Sequence, residues 1–252
     1  MPLQNSSKRA DHVSGLHFPL AGGTTNRAAG SCADFDQAAQ LNLADTALRL
    51  ARKSGAGCAD LRIGCNEEEV THARERRLER FNSTISAGFG IRVLLHGSWG
   101  FASSQTIEEK EIERVVGLAI ENAEANRMIQ TVPILLEDLP AYQEDWVMPM
   151  RIYPFTIPAD EKASRLLAIN DAALQAGADY CSSTLQLVCE RKVFASSRGS
   201  RIAQTRVRCQ PHFEVTTVDK QSGTFAHKAS LAAQRGGAAR PRTCSGGGSE
   251  PR

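Results

Sequence analysis

Apolar and polar residues alternate between residues 87 and 104, the most regular stretch of the chain. In its first half the apolar positions lie two residues apart: Ala87, Phe89, Ile91, Val93 and Leu95. A period of two is typical of a strand with one buried face. A turn at His96 and Gly97 can reverse the chain, because glycine adopts positive φ without a Cβ clash. The pattern predicts a β-hairpin, in which we expect scaffold rather than an active site.

Three segments show the 3.6-residue periodicity of amphipathic helices. The first follows residue 36 and precedes Gly55, a favoured residue just beyond a helix end. The second begins near Thr106 and Glu109, whose spacing predicts a capping box. The third extends over about residues 159–176. Their apolar positions are Leu41, Ala44, Leu48 and Ala51, then Ile112, Val115, Val116, Ala119, Ile120 and Ala123, then Ala163, Leu166, Leu167, Ala173 and Leu174.

Further strands are predicted at residues 58–65, 183–197 and 200–209. Residues 67–84 are ambiguous, because their glutamate and arginine content favours a helix, while their place before the hairpin favours a long, charged edge strand. We favour the strand. Its acidic and basic residues offset one another, which indicates a solvated face rather than an RNA-binding surface.

Residues 130–158 contain five prolines, which prevent long regular structure and indicate an extended connection. Trp146 and Tyr153 are expected to anchor this connection by packing.

Two parts of the chain resemble each other weakly. A helix, a Gly-Ala dipeptide and a strand occur at residues 53–63 and again at 175–187, and Phe-Ala-Ser-Ser begins at both Phe101 and Phe194. Two related α/β halves would explain the likeness, although one so short also arises by chance. We predict an α+β fold in which helices cover a largely antiparallel sheet.

The composition is that of an ordinary soluble protein, with 41% hydrophobic and 23% charged residues. No apolar run approaches the roughly 20 residues that span a bilayer. Residues 16–23 are too short and too broken by His and Pro for a signal-peptide core. We therefore expect a cytoplasmic protein with no membrane partner.

Seven cysteines form an odd set without a CxxC spacing. In a cytoplasmic protein this favours scattered, reduced thiols over a disulfide framework. The sequence singles out none of them as a nucleophile.

We predict three parts: a disordered leader at 1–33, a folded domain at 34–220 and a disordered basic tail at 221–252. The tail holds five basic residues and one acid, a net charge of +4, although the whole chain carries only +2. Its abrupt change of composition suggests the hypothesis of an out-of-frame translation, and the alternative is a genuine flexible extension. A few phosphate contacts bind nucleic acid only weakly, so no nucleic-acid partner is expected.

Several motifs together resemble the N-terminal domain of the TldD/PmbA proteins. They are GAGCADLR at 55–62, GFGIRV at 88–93 and GSWGFASS at 97–104, followed by the second helix. Residues 193–204, VFASSRGSRIAQ, resemble the second half of that domain. The resemblance covers about residues 36–219, and each motif is weak alone.

This resemblance implies a zinc metallopeptidase assembly, described historically as a modulator of DNA gyrase. In such an assembly an active subunit cleaves unstructured peptides and pairs with a related subunit that lacks the metal site. A His-Glu-x-x-x-His helix in the C-terminal domain supplies two zinc-binding histidines and the glutamate that activates water, and a thiolate completes the zinc site.

This chain departs from that pattern, because none of its six histidines is followed by glutamate. It also stops where the C-terminal domain of the family would begin. No catalytic, cofactor-binding or metal-binding residue is carried over, and whether the chain is an enzyme stays open. We expect a truncated metallopeptidase that is inactive alone; the alternative is a non-catalytic partner or peptide-binding module. Arg92 and His96 are the hairpin residues that could touch a peptide.

Overall fold

The helices and strands that periodicity predicts are all present in the structure, a computed structural model that describes residues 32–138 and 140–230. The α-helices are α1 (Gln37–Lys53), α2 (Glu109–Arg127) and α3 (Ala159–Gln175). The strands are β1 (Cys58–Arg74), β2 (Arg77–Leu95), β3 (Ser98–Ser104), β4 (Gln143–Val147), β5 (Tyr180–Ser196), β6 (Arg201–Val218) and β7 (Phe225–Ala229). Short 3-10 helices lie at Cys32–Asp34 and Pro154–Thr156.

The strands form one sheet in the order β3-β2-β1-β5-β6-β4, and β7 pairs with the C-terminal part of β6. The pairs are antiparallel except that β4 runs parallel to β6. The α+β class and the largely antiparallel sheet are therefore confirmed.

All three helices cover the same face of the sheet. On β1 every odd-numbered residue from Ala59 to Ala73 is buried. Those near Leu61 pack against apolar residues of α1 and α2, and Glu69 pairs with Lys162 of α3. We call this side the helix-covered face. The side that carries the even-numbered residues of β1 is the open face, because no helix of the described residues packs on it.

The N-termini of α1 and α2 show which side chains cap the helices. Asp36 caps α1, since its side chain accepts hydrogen bonds from two backbone N–H groups of the first turn. The predicted capping box of α2 is wrong, because the cap residue is Glu108 and its side chain makes no cap hydrogen bond. The backbone N–H of Thr106 donates instead to Ser104 Oγ, which keeps Thr106 in the turn after β3.

The buried face of α3 differs from the predicted apolar stripe. Lys162, Leu166 and Asn170 are buried, whereas Leu167 and Leu174 are only half-buried. Periodicity located this helix correctly, but with Lys162 buried in an ion pair the contact face is rotated, and Leu166 is the one residue of the predicted stripe that is fully buried.

The predicted internal likeness has a structural counterpart. The helices α1 and α3 both have 17 residues, as do β1 and β5. Each helix is followed by a glycine with positive φ, 84° at Gly55 and 99° at Gly177. The strands β1 and β5 are antiparallel neighbours at the centre of the sheet. This repetition supports two related α/β halves.

Residues 67–84 are mostly extended, as favoured, but they form the end of β1 and the start of β2 around a turn at residues 75–76 rather than one edge strand. Residues 67–74 belong to β1, between β2 and β5. Two of their glutamates lie on the helix-covered face with partners: Glu69 accepts from Lys162, and Glu67 accepts from the backbone N–H of Cys32. These partners let a charged segment occupy the middle of the sheet.

The hairpin is held tightly by α2. Its turn residues have φ of 50° at His96 and 80° at Gly97. A Cβ at Gly100 would lie 1.8 Å from the carbonyl oxygen of Ala119, so α2 approaches β3 at a distance that only glycine permits. Gln130 Nε2 donates to the carbonyl oxygen of Gly97 and ties the end of α2 to the turn. These contacts support the expected scaffold role.

Trp146 does not anchor the proline-rich connection, contrary to expectation. It lies on β4, all of whose residues are exposed, and 42% of its surface is accessible. Tyr153 does pack, against Phe155 with ring centroids 5.4 Å apart and against the second buried cluster around Cys189. Pairing of β4 with β6, rather than its tryptophan, attaches the first part of the connection.

Two cysteines contradict the expectation of reduced thiols. Cys32 and Cys65 form a disulfide with a sequence separation of 33. Their side chains meet because Cys65 is one of the odd-numbered residues of β1 on the helix-covered face, where the segment before α1 crosses the sheet. The free cysteines of the described residues are Cys58, Cys181, Cys189 and Cys209.

The predicted ends differ in part from the structure. The 3-10 helix at Cys32–Asp34 begins within the predicted leader, and the strand β7 lies within the predicted tail, because β6 offers its edge for pairing. Residues 1–31 and 231–252 lie outside the described residues. They include most of the predicted leader and the rest of the predicted tail, so the out-of-frame hypothesis stays a prediction. Within the described part of the chain, no helix has the length and apolar character needed to cross a membrane.

Candidate functional site

The open face is built by cross-strand rows of side chains on β2, β1, β5 and β6. Directly paired residues share a face of the sheet. The register therefore brings Asp60 of β1 beside Arg92 of β2 and Arg62 of β1 beside Phe194 of β5. Farther along, Glu190 of β5 lies beside Arg206 of β6. The open face thus carries charged groups in the middle of the sheet.

Asp60 holds two arginines in place. Arg92 Nη2 lies 2.6 Å and Nε 3.1 Å from Asp60 Oδ2, and Arg62 Nη1 lies 3.2 Å from Asp60 Oδ1. The hydrogen bonds to Asp60 raise the pKa of Arg92, against the opposing effect of burial. The Asp60 side chain is 8% exposed, whereas those of Arg62 and Arg92 are 59% and 44% exposed. The cluster keeps one excess positive charge at the surface.

Aromatic rings orient the same two arginines. The guanidinium carbon of Arg62 lies 5.1 Å from the centre of the Phe194 ring. That of Arg92 lies 5.1 Å from the centre of the Trp99 ring. Such contacts contribute about 0.5–1 kcal/mol at exposed sites. They restrict both cations before any ligand arrives.

A depression of about 540 Å³ opens beside this cluster, lined by Arg62, Gly88, Gly90, Arg92, Phe101 and Ser103. Two glycines create the space. A Cβ on Gly90 would meet the Phe101 ring at 3.0 Å, and one on Gly88 would meet the carbonyl oxygen of Ser104 at 2.9 Å. Phe101 is 57% exposed and offers an apolar wall. The depression can therefore hold an apolar group next to an anionic one.

A second cationic group surrounds Glu190. Its carboxylate lies 3.2 Å from Lys192 Nζ, 3.4 Å from Arg208 Nη2 and 4.0 Å from Arg206 Nη1. The Glu190 side chain is 16% exposed, and the three cations are more exposed. Together the two clusters place five cations around two carboxylates, which suits the open face to acidic ligands.

A smaller cavity of about 110 Å³ lies on the other side of the sheet, lined mainly by Met148, Met150, Leu185, Leu187, Val207 and Cys209. Lys162 also borders it, but its ammonium is already paired with Glu69. Burial raises the pKa of the Cys209 thiol, although Lys162 opposes the shift. These groups form a packing defect rather than a reactive site.

Arg92 and His96, the two hairpin residues predicted to touch a peptide, lie in different places. Arg92 lies on the open face, as its position in the alternation predicts, and is held by Asp60. His96 lies in the exposed turn at the end of the sheet and does not join Arg92 in one site. Sequence reasoning missed Asp60, Arg62 and Glu190, although their even numbering in alternating strands already placed them opposite the buried residues.

The resemblance implies zinc, and two histidines lie near one carboxylate where β7 pairs with β6. Zinc needs three or four converging N, S or O ligands at about 2.0–2.3 Å. His212 Nε2 and His227 Nε2 lie 3.7 Å and 4.0 Å from Glu214 Oε2. The hydrogen bond from Ser182 lowers the pKa of Glu214, and both histidines add to the shift. No group of three or more His, Cys, Asp and Glu in the described residues is placed to hold a metal ion. These residues therefore do not fit zinc.

Comparison with known families identifies the segment that builds the hairpin and α2. Residues 59–123 match the family described as PmbA/TldA metallopeptidase domain 1. This part of the chain is similar to the TldD/PmbA family. The matched residues include β1, β2, β3 and most of α2, and therefore Asp60, the depression and the Gly100 contact.

Curated relatives extend the likeness over a longer stretch. The metalloprotease MJ0996 of Methanocaldococcus jannaschii is 26% identical over 171 residues, which are 68% of this chain and 38% of that protein. A metalloprotease of Methanothermobacter thermautotrophicus is 26% identical over 173 residues, 68% of this chain and 36% of that protein. The chain thus spans less than two fifths of the length of either relative.

Solved structures share the fold. A Thermotoga maritima protein described as a candidate modulator of DNA gyrase has a TM-score of 0.62 at 14% identity, covering 75% of this chain and 42% of its own. A Bacteroides thetaiotaomicron protein of similar description has a TM-score of 0.59 at 16% identity, with 76% and 45% covered. TldE from Thermococcus kodakarensis has 0.56 at 13% identity, with 74% and 42% covered. At these identities the likeness establishes the fold alone.

Proposed function

We propose that this chain is the peptide-binding N-terminal part of a TldD/PmbA-type metallopeptidase and does not hydrolyse peptide bonds by itself. One observation carries the proposal: residues 59–123 match the domain numbered first in a metallopeptidase family. Both relatives named as metalloproteases are more than twice as long as the stretch that they share with this chain. Hydrolysis in our proposal depends on residues that this domain does not supply.

The open face supports a role in holding peptide. The Arg62 and Arg92 cluster retains an exposed excess of positive charge, and Phe101 provides an adjacent apolar surface. An unstructured peptide exposes side chains of both kinds, together with a backbone that is hydrogen-bonded only to water. Binding at this face would present such a peptide to a catalytic domain.

Zinc content and hydrolysis test the proposal. We expect the full chain, purified with zinc in the medium, to contain no stoichiometric zinc and to leave a fluorogenic unstructured peptide uncleaved. The same peptide should bind, as measured by fluorescence anisotropy. Stoichiometric zinc together with chelator-sensitive cleavage would overturn the non-catalytic assignment, and lack of peptide binding would overturn the binding role.

A second candidate is a non-catalytic partner subunit of a TldD/PmbA-type complex. The segment after α2 favours it, because Met128, Ile129, Val132 and Leu135 are 87%, 82%, 72% and 90% exposed. Gln130 nevertheless fixes this segment through hydrogen bonds to the carbonyl oxygens of Gly97 and Val132. Ordered, exposed apolar side chains are typical of an interaction surface.

Size-exclusion chromatography with light scattering tests this candidate. A stable complex with a full-length family member, lost when Ile129 and Leu135 are both replaced by serine, would support it. A mixture that elutes as separate components would contradict it. A cytoplasmic location is part of both candidates, and fractionation of cells that produce the chain tests it.

A further inference from the structure

Four cations form a diagonal line across the open face, one from each of four neighbouring strands. They are Arg92 of β2, Arg62 of β1, Lys192 of β5 and Arg206 of β6. Arg92 is level with Asp60 of β1, Lys192 is level with Gly64, and Arg206 is level, through Glu190, with Asn66. Each cation is therefore displaced by two residues from the one on the preceding strand. We call these four residues the cationic diagonal.

The spacing of the cationic diagonal suits an extended polyanion. Neighbouring strands lie about 4.8 Å apart and two residues of a strand extend about 6.7 Å, so the Cα atoms of successive cations are about 8 Å apart. The whole diagonal extends over about 25 Å of the sheet. The exposed fractions of its side chains are 44% for Arg92, 59% for Arg62, 51% for Lys192 and 49% for Arg206. A flexible chain that carries a negative charge on each unit can therefore contact all four.

The carboxylates beneath the diagonal do not neutralise it. Asp60 and Glu190 are only 8% and 16% exposed, and both accept ion pairs from the cations around them. Arg208, which follows Arg206 on the same face of β6, also pairs with Glu190. Five cations around two shielded carboxylates leave an excess of three positive charges, and the cations are the more exposed groups. Anions are therefore attracted to a strip of surface whose cations are already held in position.

An exposed aromatic ring lies at each end of the cationic diagonal. Phe101 of β3 is the direct partner of Arg92 and is 57% exposed. At the other end, Trp146 of β4 is paired with Gln204, the direct partner of Lys192, and is 42% exposed. Nucleobases of any sequence stack on such rings. Stacking also gives a role to Trp146, which does not anchor the proline-rich connection.

Glycines keep one side of the diagonal low. Gly64 and Gly88 are direct partners on β1 and β2, and Gly90 is the direct partner of Arg62. Three side chains are thus missing from neighbouring positions of the open face. Glycines within strands are typical of places where a ligand approaches the backbone closely. A sugar-phosphate chain can therefore lie against the sheet beside the cations.

We infer that the open face binds single-stranded nucleic acid, with phosphates along the cationic diagonal and bases stacked on Phe101 and Trp146. Arginine suits phosphate because its guanidinium group donates two parallel hydrogen bonds. Only unpaired bases can stack on the two rings, which favours a single strand over a duplex. The inference goes beyond the proposed peptide-binding function. It also differs from the expectation of no nucleic-acid partner, which rested on the tail and on residues 67–84.

Fluorescence anisotropy of the full chain with a labelled oligothymidylate of about eight nucleotides tests the inference. We expect affinity to fall with salt, with a slope of about −3 in log K against log salt concentration, as for four phosphate contacts to a single strand. Arg206→Gln should weaken binding and reduce this slope by about 0.7. Arg165→Gln, at an exposed arginine on α3, should change neither.

Stacking is tested separately from charge. Trp146→Leu should lower affinity about tenfold, as for one lost base stack, whereas Trp146→Phe keeps a ring and should bind nearly like the unaltered chain. Because leucine could also disturb β4, an abasic strand of the same length provides a second measurement. The unaltered chain should bind this strand at least about tenfold more weakly than the oligothymidylate. Trp146→Leu should not weaken binding of the abasic strand further.

The results distinguish the ligand, the site and the proposed function. No binding of the oligothymidylate would refute the inference and leave the proposed function standing, because that function is tested with zinc content and peptide. Equal binding by Arg206→Gln and Trp146→Leu would place the nucleic acid elsewhere on the chain and refute the open face as the site. Equal affinity for the abasic strand or for a duplex of the same length would refute stacking. An oligoglutamate bound as tightly as the oligothymidylate would show a surface for acidic peptides instead.

Discussion

Lys162 Nζ lies 2.6 Å from Glu69 Oε1, and the two side chains are only 3% and 11% exposed. The pair joins α3 to β1 within the helix-covered face. Each charge is stable there because the other replaces the water that burial removes. The contact explains both the rotated face of α3 and the position of a glutamate-rich segment at the centre of the sheet.

Removal of one partner should therefore destabilise the domain strongly. We expect Glu69→Leu or Lys162→Met alone to lower the free energy of unfolding by about 3–5 kcal/mol, because each leaves a buried charge unpaired. The double variant should recover most of this loss, since it leaves an apolar contact. Urea denaturation of the four proteins measures the coupling. Additive losses in the double variant would show that the two side chains act independently.

Gly100 should be intolerant of any side chain. Gly100→Ala would place a Cβ 1.8 Å from the carbonyl oxygen of Ala119, and we expect a loss of about 3 kcal/mol or more, typical of severe overpacking. Gly117→Ala is the matched control, because nothing lies within 4 Å of its Cβ position on α2. It should stabilise the domain by about 1 kcal/mol through helix propensity. Thermal unfolding compares the two, and a tolerated Gly100→Ala would contradict the close approach of α2 to β3.

The sequence predicted the fold wherever a repeating pattern reports burial directly. The alternation from Ala87 to Leu95 located the hairpin, and the stripe around Ile112 and Val116 located α2. Prediction failed where a contact between distant segments decided the outcome. Cys32 and Cys65 are 33 residues apart, and nothing local in either segment indicates that the fold brings them together.

The candidate site was predictable only in part for the same reason. Alternation placed Arg92 on the less apolar face, but not the neighbour that holds it. Asp60 becomes that neighbour through the pairing of β1 with β2, and Phe194 reaches Arg62 through the pairing of β1 with β5. The register between two strands cannot be predicted from the sequence of either strand alone. His96, selected by residue type, lies outside the cluster.

Glu111, in the first turn of α2, should titrate far below an ordinary glutamate. The hydrogen bond from Arg114 and one from Ser104 lower its pKa from 4.5 to about 2. Because the folded-state pKa is the lower one, the stabilisation is complete above pH 4.5 and is lost as the pH falls through about 2. Heteronuclear NMR of the side-chain carboxyl measures the midpoint directly. Glu111→Gln should flatten the stability profile in this window, whereas Glu113→Gln, which leaves the Arg114 pair intact, should not.

The disulfide between Cys32 and Cys65 should determine how firmly the segment before α1 is attached. Without reductant we expect alkylation under denaturing conditions to modify Cys189 and Cys209 but neither Cys32 nor Cys65. A bond that closes a loop of 33 residues contributes about 3–4 kcal/mol on the chain-entropy account. Replacing both cysteines by serine should lower the free energy of unfolding by that amount under oxidising conditions only. In reductant this loss should disappear, because the reductant also cleaves the bond of the unaltered chain. Full alkylation of Cys32 and Cys65 in the untreated protein would contradict the bond.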